Sequence, residues 1–181
     1  MKILFASDIH GDLNSAYELI NIFNNENPDR LILLGDILYH GPRNNLPDSY
    51  NPKAVISILN QHKDKIIAVR GNCDAEVDQM VLDFPIMSTS RYVEADGIRM
   101  FITHGHHYNM DAPPILSRGE LLIHGHTHIP KCEKFGDENY CLNPGSISIP
   151  KNGFPKSYMI YENKKFVIKS IDGELIFSLS L

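Results

Sequence analysis

Five times in its first 128 residues the chain runs through a short apolar stretch and ends it on Asp, His or Asn, residue types able to hold a metal ion. Ile3-Leu4-Phe5-Ala6-Ser7 leads into Asp8-Ile9-His10-Gly11, Leu31-Ile32-Leu33-Leu34 into Gly35-Asp36, and Ile66-Ile67-Ala68-Val69 into Gly71-Asn72-Cys73-Asp74. Ile98-Arg99-Met100-Phe101-Ile102 precedes Thr103-His104-Gly105-His106, and Glu120-Leu121-Leu122-Ile123 precedes Gly125-His126-Thr127-His128. Short apolar runs bounded by glycine read as buried strands. The pattern therefore calls for a sheet fold whose strand ends gather at one place. Five strand ends carrying Asp, His and Asn are what a two-metal hydrolytic centre requires, with Asp36 as the carboxylate shared by both ions.

The rest of the chain fits that demand. After Gly11, Leu13, Ala16, Tyr17, Ile20 and Phe23 recur at helical spacing, with Asp12 as the expected N-cap. Strand 3–7, this helix and strand 31–34 make a β-α-β unit, which implies a right-handed parallel crossover. A second helix is predicted over 53–62 from Ala54, Val55, Ile58 and Leu59. The segment from His40 to Pro52, rich in Pro, Asn and Gly, reads as a surface loop of the kind that carries substrate contacts. The pattern then turns to β: a hairpin from Tyr92–Ala95 to Ile98–Ile102 through Asp96-Gly97, a strand at Glu120–Ile123, and a meander from Ser157 to Ser180. A β-α-β half followed by a β-rich half predicts two sheets packed together with helices outside.

Taken singly, each motif has an ordinary structural reading. Asp8 and His10 would be an exposed pair at a strand end, Asp36 a turn acid, and Asn72 a residue in a left-handed turn. His104 would be a hydrogen-bonded histidine, and His126 with His128 a chance pair on a solvated loop. Against this, residues two apart in extended backbone share a face, so Asp8 and His10 reach one point while Ile9 turns into the core. His126 and His128 have the same spacing, and neutral imidazole is the commonest metal ligand. Five separate accidents in one small domain are a worse account than one site. Imidazole, carboxylate and amide oxygen together suit Mn²⁺, Fe²⁺ or Zn²⁺ better than Mg²⁺ or Ca²⁺. No thiolate set indicates structural zinc.

In these motifs the chain resembles the calcineurin-like metallophosphoesterases, whose signatures run D-x-H-G, G-D, G-N-x-[DE], H-G and G-H-x-H in this order. His40-Gly41-Pro42-Arg43-Asn44, Arg70-Gly71-Asn72-Cys73-Asp74 and Asn143-Pro144-Gly145-Ser146 are similar to small bacterial phosphodiesterases of the YfcE type. The resemblance implies one metallophosphoesterase domain over residues 1–181, folded as a four-layer α/β/β/α sandwich of two mixed β-sheets flanked by helices. It implies one divalent ion on Asp8, His10, Asp36 and His128 and a second on Asp36, Asn72, His104 and His126, with Mn²⁺ the first expectation and Zn²⁺ or Fe²⁺ the alternatives. The implied reaction is hydrolysis of a small-molecule phosphodiester by a metal-bridging hydroxide. Asp36 and Asn72 would be central to it, and His40, Arg43 and His106 are candidates for phosphate contact. Two departures narrow the substrate. Cys73 stands where protein phosphatases of this fold carry a leaving-group histidine, and His40 where they carry an arginine. Without the usual general acid, diesters are favoured over monoesters of poor leaving groups.

The net charge of −5 offers no basic footprint for nucleic acid or an anionic membrane. No apolar run approaches the ~20 residues of a membrane span. Three cysteines, an odd number, fit a reducing compartment. The expectation is a cytoplasmic hydrolase, with a homo-oligomer possible. A phosphomonoesterase and a non-catalytic scaffold of the same fold are the alternatives.

Overall fold

The computed structural model describes residues 1–181. In chain order the elements are β1 (Lys2–Ala6), α1 (Leu13–Glu26), β2 (Arg30–Leu33), α2 (Pro52–Asn60), β3 (Ile66–Ala68), α3 (Glu76–Gln79), β4 (Ser90–Ala95), β5 (Ile98–Thr103), β6 (Leu121–Ile123), β7 (Lys131–Phe135), β8 (Asn139–Asn143), β9 (Ser157–Glu162), β10 (Lys165–Ser170) and β11 (Leu175–Ser180). They form a six-stranded sheet in the order β11-β10-β9-β1-β2-β3 and a five-stranded sheet in the order β4-β5-β6-β8-β7. Both are mixed. β1, β2 and β3 run parallel, with β9 antiparallel to β1. β5, β6 and β8 run parallel between antiparallel edges.

Strand alternation decides what each face covers. Ile3 and Phe5 of β1 enter the core between the sheets, where they meet Ile102, Ile123, Leu142 and Tyr161. Leu4 and Ala6 point the other way, into a cluster with Ala16, Leu19 and Phe23 of α1 and with Val55 and Leu59 of α2. β1 is thus buried on both faces, which is why its sequence is a continuous apolar run. α1 and α2 form the outer layer of the six-stranded sheet. On the five-stranded sheet the outer layer is the connection between β5 and β6: Met110 and Leu116 pack on the small cluster of Phe101, Leu122 and Cys141.

The elements expected from sequence are present, with local differences. The β7–β8 hairpin was not anticipated; its exposed edge strand, Lys-Cys-Glu-Lys-Phe, carries too few apolar residues to signal a buried strand. α3 is a single turn with no buried residue. Asp12 stands at the N-cap of α1, but its carboxylate makes no cap bond and instead accepts from the hydroxyls of Ser15 and Ser49. Asn51 does cap α2, accepting from the Ala54 amide at 3.2 Å.

One buried hydroxyl ties the sheets together. Tyr161 of β9 is fully buried, and its Oη donates to Asp96 Oδ2 (2.9 Å) and lies 3.2 Å from Ala95 O, both at the β4–β5 turn. Removing that hydroxyl takes a donor from the buried Ala95 carbonyl and from the exposed Asp96 carboxylate, a loss of about 1 kcal/mol. Tyr161→Phe is therefore expected to lower the urea midpoint with an unchanged slope, whereas Tyr17→Phe, at an exposed position, leaves it where it was.

Candidate metal centre

The turns that follow the parallel strands are stitched to one another. Asp8 N donates to Gly35 O (3.1 Å), His10 N to Asp36 O (2.9 Å) and Gly11 N to Ile37 O (2.9 Å), so the first two motifs lie side by side. Asp8 O accepts from Ser146 Oγ (3.0 Å) and Ser148 Oγ (2.6 Å). Asn143 Nδ2 donates to Gly125 O (2.8 Å) and Thr127 Oγ1 (3.0 Å). The Asn-Pro-Gly-Ser segment thereby holds the loop of Asp8 and the loop of His126 in place.

The backbone at these positions corrects one premise of the sequence reading. Asp8 (φ +59°), His10 (+52°), Asp36 (+54°), His126 (+67°) and His128 (+60°) all adopt the left-handed conformation, not extended strand. Asp and His tolerate this region better than most residues, and it turns each side chain out of the strand line toward a shared point. Asp8 and His10 do meet, but through two left-handed residues flanking buried Ile9.

Two groups of donor atoms result, sharing one oxygen. In the first, Asp8 Oδ1 lies 3.3 Å from His128 Nε2 and 3.7 Å from His10 Nε2, the two imidazole nitrogens are 3.3 Å apart, and Asp36 Oδ2 is 3.8 Å from His10 Nε2. In the second, His104 Nε2 lies 3.4 Å from the same Asp36 Oδ2, 3.0 Å from Asn72 Oδ1 and 3.2 Å from His126 Nδ1. The other Asp36 oxygen, Oδ1, is occupied by the amide of Cys73 (2.8 Å). All seven ligand candidates named from the sequence are brought together.

The chemistry of these donors fits a divalent cation at each group. His10 Nδ1 donates to Tyr39 O (2.8 Å), His104 Nδ1 to Leu34 O (2.7 Å) and His128 Nδ1 to Ile149 O (2.5 Å). Each bond fixes the tautomer whose Nε2 presents a lone pair, as outer partners of metal-bound histidine do. The lone pairs then face each other and two carboxylates, an arrangement that repels unless a cation lies among them. Asp8 Oδ1 is buried with no hydrogen-bond donor at all. Without metal a proton is the substitute: burial works against charge on His104, but its hydrogen bond to Asp36 and the charges of Asp8 and Asp36 outweigh that and raise its pKa to about 9.

Three residues that sequence reasoning left unassigned also belong here. Asp74 accepts from the backbone amides of Asp36 (2.9 Å), Ile37 (2.8 Å) and Gly71 (2.7 Å), so it sets the turn that presents Asp36. Burial lifts its pKa to about 6 in spite of those amides. Thr127 and Lys151 line, with Arg43, Asn44, Asn72 and Cys73, an open cleft of about 380 Å³ over the donor groups. The fourth position of the G-N-x-[DE] motif was the available signal for Asp74; nothing in the sequence around Lys151 marks it.

The three residues proposed for phosphate contact divide. Arg43 reaches the cleft. His40 is not in its wall; its ring stands edge-on against Tyr39 and Tyr50, at centroid distances of 4.7 and 5.4 Å. His106 also lies outside the wall, tilted against His104 at 5.4 Å and His126 at 6.1 Å. Burial and the neighbouring imidazoles push its pKa down to about 4, so it is neutral at pH 7 and offers no charge to an anion.

The chain matches the family model of the calcineurin-like phosphoesterase superfamily domain over residues 1–165. It is 44% identical over 176 residues to the phosphodiesterase YfcE of Escherichia coli, covering 97% of this chain and 95% of that protein. It is 30% identical over 172 residues to a phosphodiesterase of Methanocaldococcus jannaschii, covering 91% and 95%. The solved structure of the E. coli protein superimposes with a TM-score of 0.97 over 99% of both chains. A vacuolar protein sorting 29 structure from Cryptosporidium parvum, 14% identical with a TM-score of 0.65 over 99% and 98%, shows the shared fold alone.

Two outcomes test the geometry. A Cβ at Gly71 would stand 2.1 Å from Asp36 Oδ1, so Gly71→Ala is expected to displace that carboxylate and cut metal affinity, read by calorimetric titration, by the 10–100-fold typical of outer partners. Below the His104 pKa of about 9 the metal-free imidazole carries a proton that metal must displace. Metal affinity should accordingly rise with pH toward 9, and titrations in buffers of different ionisation enthalpy should report proton release.

Proposed function

We propose that this chain, which belongs to the calcineurin-like phosphoesterase superfamily, is a metal-dependent phosphodiesterase with a dinuclear centre. The single observation that carries the reading is Asp36 Oδ2 standing within 3.8 Å of His10 Nε2 and 3.4 Å of His104 Nε2, one oxygen common to two sets of converging donors. Asp8, His10, Asp36 and His128 would hold one ion and Asp36, Asn72, His104 and His126 the other. The names of the two phosphodiesterase relatives support the reaction class. When bound, a pair of divalent ions, Mn²⁺ first and Zn²⁺ or Fe²⁺ as alternatives, supplies an activated bridging water and polarises the phosphoryl oxygens.

The chain's own groups do the rest. Arg43 and Lys151 flank the cleft and neutralise the non-bridging oxygens of an incoming phosphate. Asn72 is exposed at the cleft floor, where its amide oxygen faces His104 Nε2 and its Nδ2 donates to Cys73 Sγ (3.2 Å). Cys73 lines the same wall, but burial and the nearby carboxylates of Asp36 and Asp74 push its thiol far above the usual range. In the metal-free protein the thiol is therefore neutral. No histidine of the cleft takes the part of leaving-group acid, which favours diesters whose leaving groups depart without proton transfer.

Chelator treatment should abolish hydrolysis of a chromogenic bis-aryl phosphodiester, and added Mn²⁺ should restore it. Asp36→Asn should lower kcat at saturating Mn²⁺ by more than the 10–100-fold of outer-partner substitutions, while circular dichroism stays native. Turnover that persists after metal removal would sink the proposal.

A further inference from the structure

Cys73 is a wall of two cavities. On one side is the polar cleft above the donor groups, whose lining includes one hydrophobic residue. On the other is a largely apolar groove of about 370 Å³ walled by Tyr39, Tyr50, Val77 and Val81, with the charged side chains of Lys53 and Asp78 also in its lining. That volume lies in the range of small-molecule sites, roughly 300–1,000 Å³. The groove is open to solvent and keeps large apolar groups there: Val77 is 62% exposed, Val81 43% and Tyr39 42%. Such side chains, gathered in a concave surface beside a reaction cleft, are unfavourable in water and favourable against an apolar ligand. The two tyrosines of this wall both pack edge-on against the His40 ring, at 4.7 and 5.4 Å between centroids.

A phosphodiester has two arms, and the two cavities are unlike. The cleft offers Arg43, Lys151, Asn44 and Thr127 to a polar or anionic arm. The residues lining that cleft are mostly polar, and the groove that shares its Cys73 wall is mostly apolar. Resting on the phosphodiesterase reading above, we propose that the groove is a subsite for one arm of the substrate, and that this arm is aryl or similarly apolar. The substrate class is then an asymmetric phosphodiester, polar on one arm and apolar on the other. Val77 and Val81 would be specificity-determining residues, outside the metal centre.

The test measures binding and needs no turnover. Phenylphosphonate and methylphosphonate are titrated calorimetrically into the Mn²⁺-loaded protein and into the neutral double variant Val77→Gln, Val81→Gln. Both positions are exposed, so the variant should fold. Phenylphosphonate is expected to bind about tenfold tighter than methylphosphonate, a difference of ~1.4 kcal/mol; the variant should lose that preference while keeping its methylphosphonate affinity. Equal affinities in the parent protein, or an undiminished preference in the variant, would overturn the subsite and leave the metal centre standing. Failure of both anions to bind would overturn the phosphodiesterase reading together with the subsite. Sedimentation of both proteins completes the test: a change of oligomeric state in the variant would identify the groove as a subunit contact and overturn the proposal.

Discussion

The whole arrangement depends on unsatisfied lone pairs being forced together around one carboxylate. Asp36 has one oxygen held by the Cys73 amide and the other aimed between His10 and His104. Each of these histidines has spent its only neutral-state N–H on a backbone carbonyl. A set of acceptors so arranged is costly in a low-dielectric setting, and the cost is removed only when positive charge enters. The protein bears it because the left-handed backbone at Asp8, His10, Asp36, His126 and His128 is fixed from outside. Strain of this kind amounts to roughly 1–3 kcal/mol per residue and persists only where the surroundings over-determine it.

Those surroundings are the sandwich. The inner core of Ile3, Phe5, Ile32, Leu34, Ile102 and Ile123 locks the sheets in register at one end of their strands. The turns that leave β1, β2, β3, β5 and β6 therefore emerge as neighbours. Ser146 and Ser148 then hold the Asp8 carbonyl, and Asn143 holds the loop of His126. Close approach leaves no room for side chains at the crossing points: a Cβ on Gly125 would lie 1.9 Å from Ser7 Oγ and 2.8 Å from Asp8 Oδ2. Glycine at this position is a requirement of the site, not of a turn.

What the sequence makes legible is what local pattern encodes. Apolar runs ending in Asp, His or Asn identify the strands and the seven donors, because burial on both faces and metal chemistry each select few residue types. The conformation that aims the donors is not local. Asp8-x-His10 reads as extended, and the tertiary bonds from Asp8 N and His10 N to the Gly35 and Asp36 carbonyls turn it left-handed instead. Asp74 was visible only as a motif position, since its three backbone partners come from two different turns. For His40 the spacing from Asp36 suggests a place near the site, whereas its ring packs edge-on against Tyr39 and Tyr50 and does not line the cleft. Lys151 reaches the cleft through the third dimension alone, where its amide bonds His128 O at 3.1 Å.

The loop that carries Arg43 and Asn44 is anchored in a way that links it to the same turn. Leu13 N donates to Ser49 O (3.0 Å) and Asn51 N to Gly11 O (2.9 Å). Asp12 takes the Ser49 hydroxyl, and Lys156 stands 3.6 Å from that carboxylate and 3.0 Å from Ser15 Oγ. A Cβ at Gly11 would collide with Leu38 O at 2.3 Å and with the Tyr50 ring at 2.6 Å. The residues just after His10 thus serve the loop as well as the candidate metal-binding side chain before them. Because both ends of the loop rest on the turn that presents Asp8 and His10, its cleft-facing residues keep a fixed height above the donor groups, while its tip is exposed at Pro42, Arg43, Asn45 and Leu46. Substitution at that tip can then alter the rim of the cleft while the geometry of the donors beneath it is left intact.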